Sequence, residues 1–285
     1  MSLLDLRGPV RVNVHLHRRA LWAALAVVLL AALSLPAGRW YVQSLSENLT
    51  ATGCEVRHTV PGCGVQVRGF LSRSLYVEKT FVLIGLAFTT LPMLLAAFVA
   101  GPLVGRELES HTYRLQWTQS VSPARWLAAK LAVPVLAVLL VLPAFVLLAA
   151  WIRRASVDTW YPIPWYTAPA YGMTGPVALG YAFLGIAVGA LAGLLLGRAL
   201  PAMAAAVTAT GAVVAGLVLL RPRLWPSLAG SKGGWQLSGP MDAAGPRHHP
   251  EAHFWPLQLV ECGILLLLAA AATAAAFALL RRRHG

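Results

Sequence analysis

From Thr80 to Val104 the chain runs 25 residues without a charged side chain, and from Leu127 to Ile152 it runs 26 with Lys130 as the one charge. At ~1.5 Å per helical residue, each is long enough to cross a hydrocarbon layer of about 30 Å. Similar apolar runs cover Ala20–Pro36, Pro176–Gly197, Ala199–Leu220 and Phe254–Leu280. Only 12% of the residues are charged and 58% are hydrophobic, whereas soluble domains carry about a quarter charged residues. The expectation is an all-α polytopic membrane protein with six spans, at 20–36, 80–104, 127–152, 176–197, 199–220 and 254–280. The first run is kept as a span rather than a cleaved signal. Its basic leader, residues 1–19, is long for a signal peptide, and Ser34-Leu35-Pro36 is a poor cleavage site.

Punctuation inside the runs agrees with helices. Ser122 and Pro123 read as the N-cap and first residue of the third span. Pro92, Pro134 and Pro143 lie within spans, where neighbouring helices can satisfy the carbonyls they free. Gly180, Gly185, Gly189, Gly193 and Gly197 recur at intervals near four and flatten one face of the fourth span, for packing within the bundle in preference to a dimer seam. Arg198 and Pro201 mark a tight turn between the fourth and fifth spans.

Six spans put both ends on one side. The basic residues Arg7, Arg11, Arg18 and Arg19, with Arg281, Arg282 and Arg283, mark that side as cytoplasmic. The Lys and Arg count is 12 inside against 11 outside. The outer ones are diluted over longer loops and offset by six acids, against three inside. The segments expected outside are 38–79, 153–175 and 221–253. The second is rich in Trp160, Tyr161, Trp165 and Tyr166 and suits the headgroup layer.

The net charge of +13 does not signal nucleic acid, since its Arg and Lys are scattered between apolar runs and form no recognition module. Arg outnumbers Lys by 20 to 3, a codon-usage mark of a GC-rich bacterial genome. No GxxxxGK[ST], HExxH, GxSxG or CxxC is present, so the chain carries no phosphate cradle of that type and no cofactor is expected on it. His248, His249, Glu251 and His253 lie close together, but Pro250 interrupts them without helical or strand spacing, and a solvated loop is expected in place of a metal site. Cys54 and Cys63 fall on the outer side, where Pro61-Gly62 lets the chain turn back and a disulfide is possible. Cys262 reads as a packing residue, and the Asn48-Leu49-Thr50 sequon carries no weight in a bacterial chain.

Two places hold chemistry. Between the second and third spans, residues 105–126 carry Arg106, Glu107, Glu109, Thr112, Arg114, Trp117, Arg125 and Trp126, a mixed-charge, aromatic surface suited to a cytoplasmic partner. Glu107 and Glu109 fall on different faces of a helix. One is expected to meet a basic group on that partner, the other Arg106 or Arg114. In the sixth span, Glu261 is the only acid placed within an apolar run, with Gln258 one turn earlier. A carboxylate there is expensive, so it should face the bundle, paired or protonated, either as a structural cap or as a gate.

The pattern Arg106-Glu107-x-Glu109-x-x-Thr112, then Trp117-Thr118-Gln119-Ser120, Arg125-Trp126 and Lys130, resembles the loop between the second and third spans of actinobacterial ABC-2 type transporter permeases. Phe254-Trp255-Pro256-x-Gln258-x-x-Glu261-x-Gly263 is a second match. At His111 the relatives often carry glycine. The resemblance implies a six-span, type V exporter-like permease subunit in the bacterial cytoplasmic membrane, paired as a homodimer or heterodimer. Two copies of an ATP-binding subunit would hold the ATP and Mg. Its coupling element would fall on Arg106, Glu107, Glu109, Thr112, Arg114 and Trp117. Spans lined with Ala, Leu, Val and Gly suit an amphiphile, a lipid or a hydrophobic antibiotic as substrate, and the same residues are what lipid-facing helices need. The rival reading is a non-transporting membrane scaffold that recruits a cytoplasmic protein. A gradient-driven carrier would show related halves, and none are found between residues 1–152 and 153–285.

Overall fold

The computed structural model describes residues 7–56, 61–113, 122–155, 161–230, 234–237 and 246–284, with side chains before residue 32 described only at 26, 29 and 30. Long helices dominate. Helix α1 spans Arg7–Ala51 and α2 spans Gly64–Leu94; a π-helical turn, Leu95–Ala100, continues α2 into α3, Gly101–Glu109. Helix α4 is Pro123–Ala155, α5 the short Ala168–Met173, α6 Val177–Leu196, α7 Ala199–Leu220 and α8 Phe254–His284. Among the described residues, five helices are long and apolar enough to cross a membrane. The expected first span lies within α1, most of whose side chains there are outside the described set.

The ends of the helices sort into two sides. Val104, Tyr113, Trp126, Leu127, Leu194 and Leu280 share one core cluster, on the side where the chain ends, here the terminal side. Trp165, Tyr171, Val177, Leu217, Phe254 and Leu257 share another, on the side of the α1–α2 hairpin, here the hairpin side.

The segment 38–79 is not the separate polar stretch expected. The second span begins as a helix at Gly64, sixteen residues before its apolar run, and α1 continues to Ala51. At ~1.5 Å per residue the two extensions reach roughly 20 Å beyond the apolar runs. Cys54 and Cys63 close the tip as a disulfide with a Cα–Cα distance of 5.6 Å, packed with Leu49 and Phe70. The period of the polar stretch is helical because the two strips bury each other, as where Gly38 admits Val77.

Helix α6 is the axis of the bundle. Of its most apolar stretch 67% is buried within the protein, against 17–28% for the other four candidate spans. The glycine stripe explains how. A Cβ on Gly185 would lie 2.3 Å from the Pro92 carbonyl oxygen, one on Gly189 2.8 Å from that of Ala96, and one on Gly193 3.1 Å from that of Gly101. Three glycines thus seat α6 directly on the backbone of the second span, along the π turn; the stripe packs within the chain. Gly197, at φ 60°, ends α6 in the left-handed cap that glycine adopts freely.

The segment 161–175 corrects the headgroup placement. Trp165 is buried in protein, as is Tyr171 beyond it, and Tyr161 and Tyr166 are half-buried; Trp160 lies outside the described residues. Helix α5 sinks to the level of Gly85 and Thr89, well inside the second apolar run: a Cβ on Gly85 would lie 2.6 Å from Pro169. Irregular backbone at that depth is tolerated because protein covers it. The all-α expectation has one further exception, a small antiparallel sheet of order β1-β3-β2 formed by Leu228–Ala229, Arg247–His249 and Trp235–Gln236.

Candidate functional site

On the hairpin side, Glu261 is completely buried, and its counterion is a residue the spacing did not single out. Arg221, at the end of α7, donates from Nε to Oε2 at 2.8 Å and from Nη2 to Oε1 at 3.0 Å. The Tyr181 hydroxyl of α6 donates to the same Oε1, and the guanidinium lies 3.8 Å from the centre of the Tyr171 ring. Three helices and α5 therefore meet on one carboxylate. Arg221 follows an apolar run directly, where the sequence marks only the end of a span. The signal that could have found it is the demand of Glu261 for a cation within reach of its own depth.

Gln258 does a different job one turn away. Its Nε2 donates to the Tyr171 carbonyl at 2.9 Å and its Oε1 accepts from the Val177 amide at 3.1 Å, which fixes α8 to the end of α5 and the start of α6. Both structural and gate readings of Glu261 expected pairing; the cap belongs to Gln258 and the ion pair to Glu261.

The histidines are not a solvated loop. His248 and His249 lie on β3 and are buried, His249 fully. His249 Nε2 lies 3.0 Å from the Pro222 carbonyl, so it must donate, and its Nδ1 lies 2.9 Å from His253 Nδ1. With one proton on His249 Nε2, its Nδ1 accepts from His253. The sheet thus holds the turn that carries Arg221. Among the described residues, no three His, Cys, Asp or Glu form a group that could hold a metal ion.

On the terminal side, α3 ends in a turn with His111 at φ 56°, in the left-handed region that glycine adopts freely and that His visits more readily than most residues. Glu107 Oε2 accepts from Trp126 Nε1 at 2.8 Å, and its Oε1 pairs with Lys130, which is buried. Glu109 reaches the opposite way: its Oε2 accepts from the Ala199 amide at 3.0 Å. That amide is an unsatisfied first donor of α7, which Arg198, its own N-cap, does not serve. A carboxylate also suits the positive end of a helix. The approach depends on Gly105, one turn before Glu109, where a Cβ would lie 3.1 Å from Ala199 Cα.

The two acids do point to different neighbours, and within this chain these are Trp126 and Lys130 for Glu107 and the Ala199 amide for Glu109. Among the described residues neither pairs with Arg106, and both carboxylates end on groups of this chain, because α3 is wedged between α4 and α7. Arg106 and Thr112 are exposed, and Thr112 bonds Ser110 Oγ at 3.0 Å. Arg114 and Trp117 lie outside the described residues. The outward face is basic: Arg106, Arg125, Arg198, Arg281, Arg282 and Arg283 are all exposed. Ser122 caps α4 as expected, accepting from the Arg125 amide at 3.4 Å, and Arg283 Nη1 closes the end of α6 on the Leu194 carbonyl at 2.7 Å.

No curated protein and no solved structure matches this chain. The family model described as "ABC-2 membrane transporter related" matches residues 23–221, a stretch that includes the α3 wedge, the glycine stripe and Arg221. This multi-pass membrane protein, which carries no nucleotide-binding domain in this chain, belongs to the ABC-2 membrane transporter related family.

Proposed function

We propose that the chain is the permease subunit of an ATP-driven exporter, with six spans, a type V exporter-like arrangement and the terminal side facing the cytoplasm. It works as a dimer with two copies of an ATP-binding subunit, which hold the ATP and Mg. What carries this reading is the wedge of α3. A short exposed segment touches α4 through Glu107 and α7 through Glu109, so a push on it from the cytoplasm reaches three spans at once. Glu107 is half-buried and Glu109 is held by the start of α7, while six arginines are exposed on this face, so the partner surface is acidic where it docks. Around Arg106 and Thr112 it contacts the loop itself; Arg114 and Trp117 complete the coupling element in this reading. The outer hydrogen-bonded cluster on Glu261 closes the pathway on the far side.

The test is reconstitution with the ATP-binding subunit and measurement of ATP hydrolysis and transport together. Gln at both Glu107 and Glu109 should leave hydrolysis and lose transport, and charge reversal at Arg106 and Arg125 should weaken assembly with the partner. Normal transport in the double Gln variant would remove the wedge from the mechanism. A non-transporting scaffold would bind the partner equally well without any substrate stimulation of hydrolysis.

A further inference from the structure

A cavity of about 640 Å³ opens between the outer halves of α1 and α2 and the end of α4, away from the Glu261 cluster and the α3 wedge. Its volume lies within the range of about 300–1,000 Å³ usual for small-molecule sites. Leu35, Phe70, Phe81 and Ile152 supply apolar walls. Below it α1 exposes Leu29, Leu30 and Leu33, so a tail lodged there can continue into lipid.

Two polar groups in this cavity lack partners. Ser74 is 6% exposed and its Oγ has no hydrogen-bond partner. Glu78, four residues on and on the same face of α2, is half-buried and meets no cation or donor among the described residues. Spacing of four puts the two roughly 5–6 Å apart. The cation that also lines the cavity, Arg39, donates to the Ala155 carbonyl at 2.9 Å and covers the Trp151 ring at 5.3 Å, and it forms no ion pair with Glu78. Tyr41, Tyr76 and Tyr161 line the same space and offer ring faces that attract cations. An unpaired carboxylate, an unpartnered hydroxyl and tyrosine rings above an apolar trough match one chemistry.

We propose that this cavity binds a cationic amphiphile, a protonated amine on an apolar body. The Glu78 carboxylate takes the ammonium, the Ser74 hydroxyl bonds the head, and the tail lies along Leu35, Phe70 and Phe81. An anionic head is repelled by Glu78, and a neutral one leaves the carboxylate unpaired. Binding is a property of this chain alone and stands whether or not the chain transports.

The full chain in zwitterionic-lipid nanodiscs is labelled with a dodecylamine bearing a photoreactive diazirine in its tail, and labelled peptides are mapped. Labels should concentrate in residues 34–46 and 70–81. Unlabelled dodecylamine should displace them roughly tenfold more effectively than dodecanol or dodecanoate, the scale of one charge-assisted hydrogen bond. Glu78→Gln should lose roughly that factor and Ser74→Ala a smaller one, with the Cys54–Cys63 disulfide and the unfolding temperature unchanged. Equal displacement by dodecanol, labels spread over the lipid-facing helices, or full labelling in Glu78→Gln would each overturn the assignment. Should Glu78→Gln fail to assemble, the competitor series on the unmodified chain still decides it.

Discussion

Three carboxylates tie helices together, one at the hairpin side and two at the terminal side of this bundle, and the two ends are built differently. Glu261 is wholly enclosed and receives three hydrogen bonds from Arg221 and Tyr181. At the other end the work is divided between Glu107, about a fifth exposed, and Glu109, which lies at the surface and makes a single bond to a helix terminus. A closed, redundant cluster cannot release one contact without stranding a charge in a dry place. On the terminal side the Glu109 contact lies at the water boundary and can be released at modest cost, since water and ions replace what is lost, whereas the Glu107 contact holds the buried Lys130. In the proposed transport cycle, this difference would make the hairpin side the anchored end and the terminal side the end that moves.

The largest effect should come from Glu261→Ala, which leaves Arg221 buried without its counterion. Breaking one partner of a buried pair costs about 3–5 kcal/mol, whereas replacing both by apolar groups is close to neutral. Thermal unfolding of the purified chain should therefore show a severe loss in the single variant and recovery in Glu261→Leu with Arg221→Met. A mild single variant would mean that water reaches the cluster, and the contrast between the two ends would disappear.

Glu107→Gln comes next. It keeps an acceptor for Trp126 but removes the charge facing buried Lys130, a loss of about 1.5–3 kcal/mol. Lys130→Met in the same background should return part of it; a double-variant cycle with no coupling would break the assignment of that contact. Glu109→Ala removes only a capping acceptor and should cost about 0.5–2 kcal/mol, visible as faster hydrogen exchange at the first turn of α7 with the rest of the helix unchanged. Smallest of all is His111→Gly: relief of a left-handed strain of roughly 1–2 kcal/mol is offset by about 0.5–1 kcal/mol of added chain entropy. The unfolding temperature should barely move, and a large loss would show that the imidazole, not the turn, matters.

The apolar runs are legible in the sequence because they answer to the solvent alone. A run such as 80–104 has to be a helix in lipid whatever its neighbours, and the same holds for the Ser122 cap, which acts within its own turn. Glu261 was legible as a buried, paired acid because its cost in an apolar span does not depend on who pays it. The identity of the payer was not legible: Arg221 lies forty residues away in the chain and belongs to the site only because α7 and α8 end at one depth.

The same division separates the α1–α2 hairpin and the histidines from what was expected of them. Residues 38–51 and 64–79 look polar and loop-like when taken singly, and only the mutual burial of α1 and α2 makes helices of them. His248 and His249 carry no periodic signal, since a strand of three residues acquires its inside from β1 and β2 across it. Sequence alone determined which segments leave water, the family motif and the residue types at each end of the bundle, because transfer into lipid and helix capping are local energies. Only the tertiary structure decided which groups meet: Glu107 with Lys130, Glu109 with the start of α7, Glu261 with Arg221. Those pairings depend on where glycines let backbones touch, which no local energy specifies.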